Sequence, residues 1–362
     1  MILNIKDYKY HPLIIGILFS DILHYIGLSI VTKFLFLVSF ILIILSSKKR
    51  NFYIIFFSIS FLYIFFYFGF LQGTQTFSYF IFPLLIIAGF LLANSDFNPE
   101  DFRKLILFFL IANAFVLIYE KFSGGYLFDY GHPYSLIQGQ GLFAWTKVQG
   151  EFLIGIGLLF IRDRQMLFIL LISSLLSGVR AASLLIVFLF GLSYLSSFKI
   201  KYKLNNKYLL PLILVSIYFL VPVFIKTFDS YNIGRYTSML NLNSSTYSVR
   251  DYVHNMHLDC ISKYTLEQFI FGKGEYCTKL YNWGAESTII HSIEYYGIIF
   301  SLILFSSVIL IYLKNLRWLN FQNLLILTVL IIYFWNWRFG FTYMGIFLWW
   351  YIYNLSNKHI YR

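Results

Sequence analysis

The sequence predicts an all-α fold, a polytopic membrane protein with about twelve transmembrane helices and a long outer loop containing an amphipathic helix. Three observations carry this. Hydrophobic residues make up 59% of the 362 and charged residues only 12%, about half the roughly 25% usual in soluble domains. Apolar runs recur along the chain and approach the about 20 residues that cross a bilayer. The basic excess collects on alternate connecting segments, as the positive-inside bias requires. The whole of 1–362 therefore reads as a single integral membrane domain.

In chain order, the apolar runs lie at 11–30, 33–47, 52–70, 77–93, 105–120, 148–161, 165–179, 181–198, 208–225, 289–312, 321–336 and 340–355. None shows the period-2 alternation of a barrel strand, so each reads as a helix. With residue 1 inside, 17 of the 28 basic residues fall on inner segments, among them Lys9, Arg103, Lys104, Arg162 and Arg164. Both ends of the chain then face the cytoplasm. The net charge of +12 is thus a topology signal. It is not the continuous basic face that nucleic acid requires, so no nucleic-acid partner is expected. The first apolar run leads into further spans, so no cleavable signal peptide is expected. No Gly-rich loop with Lys-Ser/Thr occurs, and the inner loops leave no room for a nucleotide-binding domain.

Two outer segments are long, 121–147 and 226–288. Loops of that length are usually functional. Within the second, Tyr252, Met256, Cys260 and Tyr264 recur near helical spacing and predict an amphipathic helix within 247–270, lying on the membrane surface. Both cysteines, Cys260 and Cys277, sit in this loop. They read equally well as a disulfide, which an oxidising compartment favours, or as two thiols that share a loop. His254 and His257 stand three apart near Asp251, a weak metal pattern. They are expected to face headgroups or solvent. No metal ligands and no cofactor are expected.

Charges inside or beside spans are costly and mark candidate sites. Arg180, between two apolar runs, reads as an anion clamp at the outer surface or as a snorkelling loop residue. Glu286, His291 and Glu294 open the span after the long loop. His291 and Glu294 share a helix face at i,i+3 and read either as a structural pair or as the place of a general base. Glu151 with Lys147, and Asp21 with His24, read as structural pairs, and Arg338 as an interfacial anchor. Arg180, Arg235 and Arg250 together with Glu286 and His291 project to the outer face. Several guanidiniums beside one base suit a diphosphate-bearing substrate, because the planar fork of Arg binds phosphate bidentately.

At these residues the chain resembles the O-antigen polymerase (Wzy) family, within the wider O-antigen polymerase and ligase superfamily. Ser177-Gly178-Val179-Arg180-Ala181-Ala182-Ser183-Leu184 is similar to the superfamily's Ser-x-x-Arg segment opening a helix. Gly234-Arg235 and Ser248-Val249-Arg250 resemble its paired loop arginines. Phe271-Gly272-Lys273-Gly274 resembles its Gly-x-Gly turn, and the run from Glu286 to His291, ending at Tyr296-Gly297-Ile298, resembles its last motif. Ligases carry a His-Asn pair about eleven residues before that glycine. Here Glu286-Ser287 stands there, which favours polymerase over ligase. The Arg-x10-Gly repeat described for some polymerases is not matched cleanly after Arg235 or Arg250.

The resemblance implies a glycosyltransferase in the bacterial inner membrane. It would join oligosaccharide repeat units carried on undecaprenyl diphosphate at the periplasmic face, in lipopolysaccharide biosynthesis. The partners it implies are the lipid-linked glycan, the lipid bilayer and a chain-length regulator protein. Arg180, Arg235 and Arg250 would bind the diphosphate, and Glu286 or His291 would act as base. The alternatives are an O-antigen ligase with a lipid A core acceptor and, in a different class, a transporter or flippase of lipid-linked sugars. Few midplane charges and no visible repeat count against the last.

Overall fold

The computed structural model describes residues 9–46, 78–128, 140–143, 146–197, 245–317, 321–336, 340 and 342–355. Within these the protein is all-helical, with no strand. The predicted spans at 52–70 and 208–225 lie outside the described residues.

The apolar runs become helices close to where they were expected. The first is α1 (His11–Leu18) followed by α2 (Ser20–Tyr25), broken at Phe19, where φ −101° and ψ 8° leave the helical region. Then come α3 (Ser29–Ser46), α4 (Ser78–Ala93), a 3₁₀ turn at Pro99–Phe102, α5 (Arg103–Ser123), α6 (Thr146–Leu159), α7 (Arg164–Ser177) and α8 (Arg180–Ser197). The long segment after α8 supplies α9 (Ser245–Ser262), α10 (Leu266–Phe271) and α11 (Tyr276–Tyr281). It is followed by α12 (Thr288–Arg317), α13 (Phe321–Asn336) and α14 (Gly345–Asn354). Two of these stretches, Pro99–Ser123 and Thr288–Asn315, are long and apolar enough by themselves to cross a membrane. The helices α6 and α7 have 14 residues each and α14 has 10.

The centre of the bundle is aromatic. Trp349 of α14 stacks on Phe334 of α13 at 5.5 Å and meets Phe82 of α4 edge-on at 6.1 Å. The backbones of α4 and α14 approach so closely at Gly89 that a Cβ there would overlap the Trp349 side chain and the Trp350 backbone. Around this core, α3, α5 and α12 each carry an exposed apolar stripe at helical spacing. On α3 it is Ile30, Phe34, Leu37, Ile41 and Leu45; on α5 it includes Phe108, Ile111, Phe115 and Phe122, which is 89% exposed. Stripes of that extent are unfavourable against water and suit a hydrocarbon solvent.

Polar side chains tie the loops together at each end. At one end Lys9 and Tyr10 both bond Asp96, and Arg103 Nε donates to Asp163 at 2.6 Å. Burial alone would raise the Asp163 carboxyl. The Arg103 hydrogen bond and the Met166 and Gln165 amides outweigh it and hold the group below the usual carboxylate range. Asn315 bonds Asn323 and the Leu355 carbonyl nearby. At the other end Glu120 and Asn113 of α5 reach out to the backbone of 140–142. Glu120 Oε2 accepts from the Gln140 and Gly141 amides at 2.8 and 3.0 Å, and Asn113 Oδ1 accepts from Leu142 at 2.9 Å. These buried carboxylate and amide groups satisfy donors that would otherwise be stranded in an apolar interior.

Candidate functional site

Residues 245–287 fold into a small cap over the start of α12. Its first helix, α9, buries Val253, His254, His257, Cys260 and Ile261 and exposes Asp251 and Tyr252. The amphipathic helix is therefore present, but its buried face is turned from the one expected, and it packs on α11 and α12. Neither histidine faces solvent. His254 lies edge-on to Trp335 at 6.2 Å, and His257 is fully buried. The histidines take the inward face because protein groups receive them there. His257 Nδ1 pairs with Glu294 Oε2 at 2.8 Å, and its Nε2 lies 2.9 Å from the Trp283 carbonyl.

That geometry fixes proton positions. A carbonyl only accepts, so His257 Nε2 carries a hydrogen. The other carboxyl oxygen of Glu294 accepts from the Thr278 amide at 2.9 Å and its hydroxyl at 3.0 Å. Glu294 thus bonds His257 and Thr278, not His291 as the i,i+3 spacing suggested. The reason is rotational. His291 turns onto the Tyr295 ring, with centroids 3.9 Å apart, while Glu294 points under the cap.

Cys260 and Cys277 are joined by a disulfide that links α9 to α11. The Tyr264 hydroxyl lies 3.1 Å from Cys277 Sγ, and since that sulfur carries no hydrogen, Tyr264 donates. Burial first, and the Glu294 charge second, push the Tyr264 hydroxyl well above its ordinary pKa, so it keeps its proton.

The cap is fastened to the bundle where the two glycine motifs meet. Gly272 (φ 85°, ψ 168°) ends α10, and Gly297 (φ 80°, ψ 174°) breaks α12. Both conformations are essentially open to glycine alone. A Cβ on Gly272 would overlap the Tyr295 carbonyl, and one on Gly297 would overlap the Ile270 carbonyl. The Lys273 amide donates to the Glu294 carbonyl across this crossing at 2.9 Å. Residues 271–274 and 296–298, which carried two of the sequence motifs, are therefore one structural joint.

The described candidate residues lie on α8, on α9 and in or just before α12. Glu286 is half-buried, two residues before α12, and the adjacent Ser287 is fully buried with its Oγ donating to the Phe334 carbonyl at 3.3 Å. His291 is buried in the first turn of α12. Arg180 opens α8. Arg250 belongs to the first turns of α9, in the cap. The side chains of Arg180 and Arg250, and all of Arg235 and Arg338, lie outside the described residues. Ser177 and Ser183 of the Ser-x-x-Arg segment are structural. Ser183 Oγ donates to the Ser174 and Val179 carbonyls and ties the α7–α8 hairpin.

Sequence reasoning missed two groupings. Glu151 bonds the Thr342 hydroxyl at 2.6 Å, 191 positions away. His257, Cys277 and Glu294 come together with their ligand-capable atoms within 4.8 Å of one another. Asp251, which the sequence places near His257, is exposed and apart from this group.

No family model, curated protein or solved structure matches the chain.

Proposed function

We propose that the protein is an O-antigen polymerase of the bacterial inner membrane. It transfers a growing glycan from undecaprenyl diphosphate onto a sugar hydroxyl of a fresh lipid-linked unit. The observation that carries this reading is the joint at Gly272 and Gly297. The two segments that resemble the superfamily's Gly-x-Gly turn and last motif meet backbone to backbone, and Glu286 and His291 lie just ahead of Gly297 in the chain, before and within the first turn of α12. The exposed apolar stripes on α3, α5 and α12 support a bilayer setting with about twelve spans. The ion-paired loops at Lys9, Asp96, Arg103 and Asp163 support placing those segments together on the cytoplasmic side.

In this reading the acceptor hydroxyl oxygen attacks the anomeric carbon of the donor. The bond from that carbon to the diphosphate oxygen breaks, and the lipid diphosphate leaves. Half-buried Glu286 takes the hydroxyl proton. Arg180, Arg235 and Arg250 stabilise the charge that grows on the diphosphate. His291 is the weaker candidate for base, because its ring is buried against Tyr295. The chain-length regulator protein implied by the resemblance belongs to the same proposal.

The test is the glycan ladder from cells that lack their native copy and express variants at matched membrane level. Arg250→Lys and Arg180→Lys keep charge but lose the fork. They should lower polymer by on the order of a hundredfold. Glu286→Gln should do the same, and His291→Ala should hurt less. Full ladders from both Arg250→Lys and Glu286→Gln would overturn the assignment. Polymer accumulating on lipid carrier in the deletion strain would point to a ligase instead.

A further inference from the structure

The disulfide lies against the buried His257–Glu294 pair, so four potential metal ligands meet under the cap. Cys277, His257 and Glu294 are completely buried, and Cys260 is 3% exposed. His257 and Cys260 are one helical turn apart on α9, Cys277 begins α11, and Glu294 belongs to α12. The sulfur, the His257 ring nitrogen and the Glu294 oxygen already lie within 4.8 Å of one another.

The surroundings are those of a metal site. A ligating histidine normally donates its second ring N–H to a carbonyl or carboxylate, which aims the first nitrogen. His257 Nε2 does this toward the Trp283 carbonyl and leaves Nδ1 directed at the cluster. Glu294 is held by the Thr278 amide and hydroxyl through its other oxygen. The Tyr264 hydroxyl stands ready to donate to a Cys277 thiolate. Lys273 Nζ, 3.4 Å from the Tyr276 ring centre and 5.8 Å from that of Tyr264, brings a positive charge toward a ligand set that would carry three negative ones.

We propose that the reduced form of this cap holds a zinc ion on Cys260, Cys277, His257 and Glu294, and that disulfide formation and metal binding exclude each other. Two thiolates on tetrahedral zinc sit about 3.8 Å apart, from Zn–S bonds of about 2.3 Å. The Cα–Cα distance of 6.0 Å accommodates this opening without moving either helix far. A phosphine reductant and one water cleave the S–S bond, giving two thiols and the phosphine oxide. Zinc then displaces both thiol protons. A diazene oxidant reverses the reaction. It takes up two electrons and two protons to become the hydrazine, reforms the disulfide and expels the ion. This inference does not depend on which glycan reaction the protein performs.

The test uses full-length protein in detergent, with Zn²⁺ for stoichiometry and Co²⁺ as a spectroscopic probe. Phosphine-reduced protein should take up about one ion per chain, release protons on binding, and show sulfur-to-cobalt charge transfer with tetrahedral visible bands. Unreduced protein should take up under about a tenth of that. Diazene oxidation of the zinc form should expel the ion. Because these arms share one sequence, misfolding of a variant cannot imitate the result. Cys277→Ser, with Gly125→Ala as a neutral control, should abolish the charge-transfer band. Equal uptake before and after reduction, no uptake by reduced protein, or a full cobalt–sulfur band in Cys277→Ser would each overturn the proposal.

Discussion

Substituting Gly297 by alanine strikes the joint that holds the cap to the bundle. At φ 80° and ψ 174° a non-glycine residue is strained by about 1–3 kcal/mol. The new Cβ would also overlap the Ile270 carbonyl and the Phe271 backbone, and forced overpacking costs a further ~1–3 kcal/mol. A loss of about 3 kcal/mol, near the low end of the total, makes opening roughly a hundredfold more frequent, at about 1.4 kcal/mol per decade. The reporter is the Lys273 amide, whose acceptor is the Glu294 carbonyl across the joint. Its hydrogen exchange in detergent should accelerate by about two decades in Gly297→Ala. Gly125→Ala is the comparison, since nothing lies within 4 Å of a Cβ there, and it should leave the rate unchanged. Unaltered Lys273 protection in Gly297→Ala would refute the close-approach argument.

Cys260→Ser should destabilise the cap by about 3 kcal/mol, from the lost closure of a short loop, seen as faster proteolysis at Lys263 and Lys273. Reduction should reproduce that loss in the native chain and add nothing in the variant. Glu151→Ala leaves the Thr342 hydroxyl and amide without that acceptor and should cost about 1–3 kcal/mol in thermal melts, while a neutral melt would dismiss the contact. The Asp163 carboxyl is held below its ordinary value of 3.8. Its contribution is therefore present above about pH 4 and lost as pH falls through the lower folded value. Melts between pH 5 and pH 2.5 should show this loss in the native chain and less of it in Asp163→Asn. A reporter fused near position 205 should read cytoplasmic and one near 245 periplasmic, and the reverse pattern would remove the topology on which the polymerase proposal stands.

The helices were legible because apolar run length is a local property. Residues 78–93, 103–123 and 321–336 announce themselves without knowledge of any neighbour, and Gly272 was visible as a turn. The pairing of polar groups was not legible. Glu294 could be matched from spacing only to His291, because helical periodicity says which residues share a face and nothing about what approaches that face. Its true partner, His257, is 37 positions away on another helix. The same limit hid Thr342 from Glu151 and Glu120 from the backbone at 140–141. It also explains the misjudged face of α9. Its inward face mixes Val253, Cys260 and Ile261 with two histidines, so apolar spacing alone could not separate it from the neighbouring face of Tyr252 and Met256. Glu286 and His291 could be singled out by resemblance, but not their difference in exposure.

The break in α12 also settles a matter of length. The apolar stretch Thr288–Asn315 has 28 residues, about 42 Å as a straight rod at 1.5 Å per residue, against a hydrocarbon slab of about 30 Å. Gly297 divides the surplus from the span. The nine residues ahead of it serve as a wall of the cap, and the twenty from Ile298 to Arg317 measure about 30 Å. Under the proposed membrane reading the glycine would act as a waterline, with Glu286 and His291 on the cap side of it and the more apolar stretch from Ile298 onward in the acyl chains.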